Sequence, residues 1–398
     1  MSETGMVRGF QAGAVKAGIR GKDRLDVGLI YSEKPAAAAG VFTTSLVKAA
    51  PVLLDMEHLG SGRARAIIVN SGVANACTGE KGMALARGTA GLVARRLGLA
   101  ENEVLVASTG VIGMQLDLAI FANCMDALAA SLTASGFAAV SRAMMTTDTV
   151  PKTTAREMSL AGHRGTMLGL AKGAGMIMPN MATMLAFIVT DAAVRPAVLQ
   201  EMLVRSVRHS FNAITVDGDT STNDTVLVLA NGAAGNPEIV DAASDDGCQL
   251  QQCLDAVCRD LALQIVRDGE GATKLVTVRV VGAQSDDDAE RAARTVANSN
   301  LVKTAFFGED ANWGRIIAAL GRSGAVFDPN RVDISFDDVM LVRDGLALGS
   351  TDEERATVVL RKKEFTVLVD LKNGTAGHDI HTCDFSIDYV KINADYRS

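Results

Sequence analysis

The chain has 398 residues, of which 48% are hydrophobic and 21% are charged, a composition typical of globular proteins. Its length predicts two or three domains or sub-domains. The net charge of -7, without a basic run, argues against a nucleic-acid partner, and the 4% aromatic content argues against base-stacking surfaces.

The N-terminus lacks a basic segment followed by an apolar one, so we expect no signal peptide. No apolar stretch is long enough to span a membrane, and we expect no membrane partner. The six cysteines are scattered without a C-x-x-C pair, which is typical of reduced thiols. Together these features predict a cytoplasmic protein.

The N-terminal part of the chain is predicted to alternate strands and helices around small-residue loops. Loops rich in turn residues follow two buried strands, at 70–79 and at 108–113, where α/β sheets commonly carry their chemistry. A third loop, 144–151, is rich in hydroxyl residues. The predicted elements are strands at 26–30, 40–43, 64–70 and 103–108, helices at 85–97 and 117–134, and a strand pair within 157–170.

The stretch 172–191 joins a glycine-rich turn to a buried strand. Lys172 heads the turn, Pro179 and Asn180 interrupt an apolar run, and Thr183 opens the predicted strand 184–189. The residues alone favour a loop followed by a core strand, with Thr183 as a β-branched strand former. The alternative is a hydroxyl nucleophile at the mouth of that strand.

The C-terminal half begins with further sheet elements and ends in a predicted α+β unit. One long helix has apolar residues at regular three- and four-residue spacing, which assigns Cys253 and Cys258 to packing rather than to metal. The segment 283–288 is rich in aspartate and predicts a sub-domain junction. The predicted elements are helices at 196–211, 250–265 and 289–298, polar loops at 212–224 and 303–315, and strands at 225–230, 275–281, 332–336, 356–360, 364–371 and 384–390.

Several common chemical motifs are absent from the sequence. The chain has no phosphate-binding loop, no dinucleotide fingerprint and no serine nucleophile elbow. His378 and His381 lie in a predicted loop without further ligands at zinc spacing, so we interpret them as surface residues. Asp217, Asp219 and Asp224 could bind a cation, but they lack the glycine and glutamate positions of a calcium loop, so we interpret their segment as a solvated loop or one that lines an active site. We therefore expect no metal and no cofactor.

A hydroxyl nucleophile without a histidine partner remains. A threonine can act in this way when its own α-amino group, whose ordinary pKa is about 7.7–8.0, serves as the base. An internal Thr183 gains a free amine only if the chain is cut between Ala182 and Thr183. The threonine hydroxyl can make this cut by attacking the preceding carbonyl, shifting the acyl group from nitrogen to oxygen and leaving an ester for water to hydrolyse.

Ten short motifs spread along the chain are specific enough to indicate a family. They are Gly40–Thr43, Asn70–Ala76, Ser108–Gly113, Thr146–Asp148, Lys172–Leu185, Asn212–Asp224, Gly269–Lys274, Lys303–Ala305, Asn312–Arg315 and Asn393–Ser398. Through these motifs the chain resembles, over essentially its whole length, the bifunctional glutamate N-acetyltransferase/ornithine acetyltransferase family of arginine biosynthesis, the ArgJ type. The segment around Thr183 is the most specific part of the resemblance.

The resemblance implies a fold and a processing event. The fold is α/β (α+β), a DmpA/ArgJ-like stacked β-sheet core flanked by helices with a smaller C-terminal α+β sub-domain. Cleavage between Ala182 and Thr183 gives an α chain, 1–182, and a β chain, 183–398. In the β chain, 183–282 completes the core and 283–398 forms the C-terminal sub-domain. The two chains stay together, usually as an α2β2 assembly.

The resemblance also implies roles for individual residues. Thr183 is the nucleophile for both cleavage and acetyl transfer, and Thr109 and Gly110 form the oxyanion hole. The choice of Thr149 over Thr146 and Thr147 rests on the resemblance alone, and without it Glu270 would be a helix-end carboxylate and Ser398 a loose terminus. The implied substrate contacts are Thr149, Lys172, Thr183, Glu270, Asn393 and Ser398.

Two positions depart from the family pattern. Ala311 stands where the family usually has proline, which loosens a turn, and Ser398 stands where the family usually ends in threonine. Serine keeps the terminal hydroxyl, so neither change removes a functional group that the implied reaction needs.

The implied reaction is a ping-pong acetyl transfer from N2-acetyl-L-ornithine to L-glutamate. Some members of the family also accept acetyl-CoA, and no motif in this sequence selects between the two donors. One alternative is a self-processing amidase or aminopeptidase with the same N-terminal threonine, which would pass the acyl group to water. Another is a non-catalytic binding protein that never cleaves.

Overall fold

Two β-sheets, each flanked by helices, make up the part of the chain that the computed structural model describes, residues 6–21, 23–178 and 184–395. The predicted mixed α/β class is confirmed. The chain divides into two compact units. The first unit is drawn from residues up to Asn212 and from Asp219–Ile265, and the second unit from Ala213–Gly218 and from Val266 onward.

The first unit is built on an eight-stranded mixed sheet. Its helices and strands are β1 Phe10–Val15, β2 Val27–Phe42, α1 Ala50–His58, β3 Arg63–Val73, α2 Gly79–Leu97, β4 Val104–Val111, α3 Leu118–Ala130, α4 Phe137–Ala143, β5 Lys152–Leu160, β6 His163–Lys172, β7 Leu185–Thr190, α5 Pro196–Arg208, β9 Thr225–Ala230 and α6 Asp245–Arg267. The strand order is β4-β3-β2-β9-β7-β6-β5, with β1 paired to β2. The pairs β3–β4 and β7–β9 are parallel and the other pairs are antiparallel.

Both faces of this sheet are buried, which explains why its strands read as continuous apolar runs. On β3, Ile68 points into a core that contains Phe121 of α3. The neighbouring residue Ile67 points into the opposite core with Phe137 of α4. The predicted strands at 64–70, 103–108, 184–189 and 225–230 are confirmed, and the predicted strands at 26–30 and 40–43 form one long strand, β2.

Helix α6 packs closely on strand β6. A side chain at Gly169 would place its Cβ 2.7 Å from Cγ1 of Val257, so glycine allows the close approach of helix and strand. Cys253 and Cys258 are buried on this helix, as the apolar spacing predicts. Burial raises the pKa of Cys253 to about 11 and that of Cys258 further, which is consistent with inert packing thiols.

The second unit is built on a seven-stranded sheet whose strand order is β13-β12-β11-β14-β10-β15-β8. Its helices and strands are β8 Ile214–Thr215, β10 Leu275–Ala283, α7 Asp286–Ala297, α8 Asn300–Phe307, α9 Trp313–Gly321, β11 Asp333–Phe336, β12 Val339–Arg343, β13 Leu346–Ala347, α10 Ser350–Leu360, β14 Glu364–Asp370, β15 Ala376–Cys383 and α11 Ile387–Asp395. Strand β10 pairs parallel with β14 and antiparallel with β15. Short 3-10 turns lie at Leu59–Ser61, Glu101–Glu103, Phe211–Ala213 and Pro329–Arg331 across the two units.

An aromatic cluster lies in the core of the second unit. Phe306 of α8 and Phe365 of β14 meet edge to face, with ring centroids 5.5 Å apart. Phe336 of β11 completes the cluster. Alanines of α7, including Ala289 and Ala293, pack into the same core and let the helix lie close to the sheet.

Four predictions for the second unit are wrong in part. The loop predicted at 303–315 contains most of α8 and the start of α9, whose N-terminal amide on Arg315 is capped by the Asn312 side chain. The strand predicted at 356–360 belongs to helix α10, because Ala356, Val359 and Leu360 face the core at helical spacing. The strand predicted at 384–390 is wrong, since β15 ends at Cys383 and α11 follows.

The fourth correction concerns the two neighbouring histidines. His378 and His381 lie in strand β15 and not in a loop. His381 is buried, with Nδ1 2.9 Å from the Thr277 hydroxyl. The segment 283–288, predicted as a sub-domain junction, lies inside the second unit, where it spans the end of β10 and the start of α7. No helix among the described residues is long and apolar enough to cross a membrane.

Candidate active site

The first element of the candidate site is a contact between two buried side chains of the first unit. Lys172 closes strand β6, and Thr109 lies near the end of β4. The Lys172 Nζ donates a hydrogen bond of 3.2 Å to Thr109 Oγ1. Because β4 and β6 are not neighbours in the sheet, the sequence could not have placed these two residues together. A buried cation beside a hydroxyl can stabilise negative charge that develops on a substrate.

Gly110 follows Thr109 and has a backbone that requires glycine. Its φ is +131°, and a Cβ at this position would lie 2.2 Å from the carbonyl carbon of Gly72. The parallel pairing of β3 with β4 also becomes irregular between Gly72 and Val73. Irregular strand ends of this kind present backbone groups to ligands. The oxyanion-hole role of Thr109 and Gly110 stays a prediction.

Asp148 connects the hydroxyl-rich loop to the turn after Lys172. Its Oδ1 accepts hydrogen bonds from Lys152 Nζ at 2.6 Å and from the Gly173 amide at 2.7 Å. Burial opposes ionisation of this carboxyl, but the charges of Lys172 and Lys152 and these hydrogen bonds lower the pKa of Asp148 to about 2. An ionised Asp148 therefore holds the end of β6 in place.

Thr149, the predicted substrate contact of this loop, follows Asp148 directly and is exposed. Thr146 and Thr147 are half-buried, and the Thr146 amide donates to Asp148 Oδ2 at 3.0 Å. The loop thus presents Thr149 on a segment that Asp148 fixes. The choice of Thr149 over its two neighbours stays a prediction.

Asp224 is a second buried carboxyl in the same region. Its Oδ1 accepts a 2.9 Å hydrogen bond from the amide of Met184, the residue that follows Thr183 in the chain. Complete burial raises the pKa of Asp224 well above its usual range, against smaller opposing effects of the Met184 amide and the Lys172 charge. Burial therefore favours the neutral acid.

Two lysines lie beside one ionised carboxylate in this region. Lys172 and Lys152 both lower the pKa of Asp148, while burial disfavours the charged form of Asp224. A buried lysine suits a carboxylate ligand. This arrangement depends on Asp148, Lys152 and Asp224, none of which was predicted as a catalytic residue or substrate contact. The two aspartates do lie in motifs that carry the family resemblance, 146–148 and 212–224.

The second unit holds two other predicted contacts, and they touch each other. The Asn393 side chain, on helix α11, donates a 2.7 Å hydrogen bond to Glu270 Oε2. The same Asn393 amide group also donates to the Tyr389 carbonyl at 3.0 Å. Glu270 lies in the loop after α6 and is buried. The resemblance named both residues, and the structure brings them together.

The remaining predicted site residues, Ala182, Thr183 and Ser398, lie outside the described residues. Within the described ranges, no group of three or more histidine, cysteine, aspartate or glutamate side chains could hold a metal ion.

A threonine hydroxyl, a glycine strand end and a buried lysine, carried by a two-sheet α/β protein, define an enzyme of the acyl-transferring class. The sequence matches the family model for ArgJ over residues 11–398. The chain belongs to the ArgJ family of arginine biosynthesis. Sequence and structural relatives agree with this assignment.

Two curated relatives carry the name arginine biosynthesis bifunctional protein ArgJ. The protein of Desulfotalea psychrophila is 57% identical over 395 residues, covering 98% of this chain and 100% of the relative. The protein of Geobacter sulfurreducens is 56% identical over 392 residues, with the same coverage of both chains. A crystal structure of ArgJ from Bacillus halodurans, 42% identical, covers 52% of this chain and 96% of its own, with a TM-score of 0.50.

Proposed function

We propose that this enzyme transfers the acetyl group of N2-acetyl-L-ornithine to L-glutamate through an acetyl-threonine intermediate on Thr183. The observation that carries the proposal is the buried contact between Lys172 Nζ and Thr109 Oγ1 in the first unit. It gathers a cation, a hydroxyl and the glycine backbone of Gly110 near the strand that follows Thr183 in the chain.

The first chemical step frees the nucleophile. The Thr183 Oγ attacks the carbonyl carbon of Ala182, forming a carbon–oxygen bond as the Ala182–Thr183 carbon–nitrogen bond breaks. The nitrogen takes up the hydroxyl proton and becomes the α-amino group of Thr183. Water then hydrolyses the ester, releasing the Ala182 carboxylate and the Thr183 hydroxyl.

The second step moves the acetyl group. The α-amino group of Thr183 takes the hydroxyl proton while Oγ attacks the acetyl carbonyl of N2-acetyl-L-ornithine, and ornithine leaves with that proton. The glutamate amine attacks the acetyl ester, and N-acetylglutamate leaves as the Thr183 hydroxyl is restored. Thr109 and Gly110 stabilise the oxyanion in both halves, a contribution of about 10²–10³ in rate for one donor.

The charges of the described residues support binding of amino-acid substrates. The buried Lys172 suits an α-carboxylate, with Thr149 as a hydroxyl contact. The Glu270 carboxylate, held by Asn393, suits the side-chain ammonium of ornithine. We assign Ser398 as a further hydroxyl contact from the resemblance.

We further propose that the α chain, 1–182, and the β chain, 183–398, stay together after cleavage and form an α2β2 assembly in the cytoplasm. The sheet supports the first part of this proposal. Strand β6 precedes the cut and β7 follows it, and the two are hydrogen-bonded neighbours from Met167–Thr190 to Lys172–Leu185. Cutting the connection between paired strands leaves their ladder intact.

Two measurements test the function. Denaturing mass spectrometry should find two chains, one that ends at Ala182 and one that begins at Thr183, and a Thr183→Ala variant should stay uncut. The cut enzyme, given N-acetylornithine with glutamate, should form N-acetylglutamate and ornithine in equal amounts. Fast release of free acetate without glutamate would instead establish an amidase. Replacing N-acetylornithine by acetyl-CoA tests the second donor.

A further inference from the structure

The segment that precedes strand β9 is unusually well buried for a polar connection. Ser221, Asn223 and Asp224 are all buried. The Thr43 hydroxyl at the end of β2 donates to the Ser221 carbonyl at 2.8 Å, and the Thr43 amide donates to the Asp224 carbonyl at 3.0 Å. These two hydrogen bonds from Thr43 hold the backbone of the segment, independently of the contacts that its own side chains make.

Asp224 fixes the peptide that follows Thr183. Its carboxyl accepts from the Met184 amide at 2.9 Å, while the amide of the next residue, Thr225, donates to the Met184 carbonyl at 3.2 Å. Met184 is thus held at both its nitrogen and its oxygen. Because the Met184 nitrogen is bonded to the carbonyl carbon of Thr183, this anchor lies one peptide bond from the proposed nucleophile.

Asn223 fixes the peptide that precedes Thr109. Its Nδ2 donates to the Ser108 carbonyl at 2.8 Å and to the Ala74 carbonyl at 2.6 Å. The Ser108 hydroxyl in turn donates to Asn70 Oδ1 at 2.7 Å. The Ser108 carbonyl belongs to the peptide whose nitrogen is that of Thr109, so this anchor lies one peptide bond from the proposed oxyanion hole.

From these contacts we propose that Asn223 and Asp224 act together as positioning residues, holding the Met184 and Ser108 peptides at the fixed separation that the reaction proposed for Thr183 and Thr109 requires. This inference rests on the proposed function. Two adjacent residues of one buried segment carry the two anchors, so any shift of the segment moves both together. Displacement of reacting groups by about 1 Å can cost about 10² in rate.

The carboxyl of Asp224 does this by accepting the Met184 hydrogen bond at Oδ1. Its Oδ2 has no hydrogen-bond partner among the described residues, and burial raises its pKa. An asparagine would present the same oxygen to the Met184 amide. The Asp224→Asn variant therefore preserves positioning but removes proton exchange by the carboxyl, so it distinguishes these two roles.

The test measures self-cleavage by mass, kcat and KM on the cut enzyme, and Tm. Asp224→Ala and Asn223→Ala should each slow cleavage and lower kcat by about 10² while KM changes less than threefold. Asp224→Asn should stay within about threefold of the unaltered enzyme in both rates and keep its pH profile.

Matched controls identify a purely structural effect. Asp55 is also a buried carboxyl with one oxygen on a strand amide, that of Val106 at 2.7 Å, and one oxygen without a partner among the described residues. Asn236 likewise is buried and bonds the Ala193 backbone, accepting from its amide at 2.9 Å. Asp55→Ala and Asn236→Ala should lower Tm without changing kcat.

The outcomes are distinct. Asp224→Ala with an unchanged cleavage rate and kcat overturns the positioning role, as does an Asp224→Asn variant that folds but loses either activity. If the Ala variants do not fold, Asp224→Asn still decides through its kinetics. Failure of the unaltered enzyme to transfer acetyl groups would count against the proposed function only, because the cleavage rates still test the positioning.

Discussion

The candidate-site residues of the first unit and those of the second unit are held in different ways. In the first, Asp148, Lys172 and Asp224 are buried, and both carboxyls accept hydrogen bonds from backbone amides that directly adjoin strands of the sheet. In the second, Glu270 takes its hydrogen bond from Asn393, a side chain on helix α11, which has no buried residue.

The difference separates two requirements of a transferase. Groups that form and break bonds tolerate little displacement, and backbone anchors in a sheet supply that rigidity. Groups that select a substrate can adjust with the helix that carries them. We therefore expect substitutions at the backbone anchors Asn223 and Asp224 to reduce kcat and cleavage, and substitutions at Glu270 and Asn393 to act mainly on KM.

The largest effect should come from Thr183→Ala. The variant lacks the hydroxyl that both proposed steps need, so the chain should stay uncut and form no N-acetylglutamate. Mass measurement and a product assay check this. Thr183→Ser keeps the hydroxyl and should restore at least part of both reactions. Cleavage of the alanine variant at Ala182 would contradict the proposed nucleophile.

The second largest effect should come from Lys172→Met, which should lower kcat/KM for N-acetylornithine by about 10²-fold. The substitution removes a buried charge that faces Thr109 and lowers the pKa of Asp148. Steady-state kinetics on the cut enzyme check it.

Lys303→Met is the matched control for this substitution, because Lys303 is a buried lysine of the second unit that bonds the Thr382 hydroxyl at 2.8 Å. It should change stability but leave kcat within threefold. Equal kinetic losses in the two variants would remove the distinction between the units.

The pH dependence of stability should show the contribution of Asp148. Its pKa in the folded protein is about 2, below the ordinary value of 3.8, so ionised Asp148 stabilises the fold above pH 4 and loses this effect as the pH falls toward 2. The expected contribution is about 2 kcal/mol in the free energy of unfolding.

Urea unfolding of the unaltered protein and of Asp148→Asn, at pH 7, 5 and 3, measures this contribution. The difference in unfolding free energy between the two proteins should be largest at pH 7 and should shrink at pH 3. A difference in unfolding free energy that stays the same from pH 7 to pH 3 would contradict the lowered pKa of Asp148.

The smallest effect should come from Glu270→Gln. The amide keeps the contact with Asn393 but cannot pair with an ammonium, so KM for N-acetylornithine should rise about tenfold with kcat nearly unchanged. Glutamate KM and self-cleavage should not change. Glu364→Gln, at an exposed ion pair with Arg267, is the control and should alter none of these constants. A fall in cleavage rate for Glu270→Gln would contradict the division of roles.

Much of the fold could be predicted because the strands of the first sheet are buried on both faces and read as apolar runs. The segment 356–360 misled because its threonine and valines are strand formers, whereas tertiary packing places them in α10. The local sequence pattern predicts a helix or strand correctly only where tertiary packing favours the same element.

Only the family resemblance allowed residues of the candidate site to be predicted from the sequence. The resemblance named Thr109, Lys172, Glu270 and Asn393, but the residues that hold them gave no such signal. The bond from Asn223 to the Ser108 carbonyl joins positions 115 residues apart, since Asn223 directly precedes β9 and Ser108 lies on β4, two strands that are not neighbours in the sheet. Contacts of this range depend on topology, which periodicity does not encode.

The short strand β8 has a consequence for any attempt to divide the protein. In the sequence, residues 213–218 lie between two segments of the first unit, but they belong to the second unit. There β8 forms the edge of the sheet, where Ile214 pairs with His381 and Thr215 with Thr382. A fragment beginning at Val266 would expose the edge of β15, an unpaired strand prone to aggregation. Adding a peptide of residues 213–218 in trans should restore its solubility.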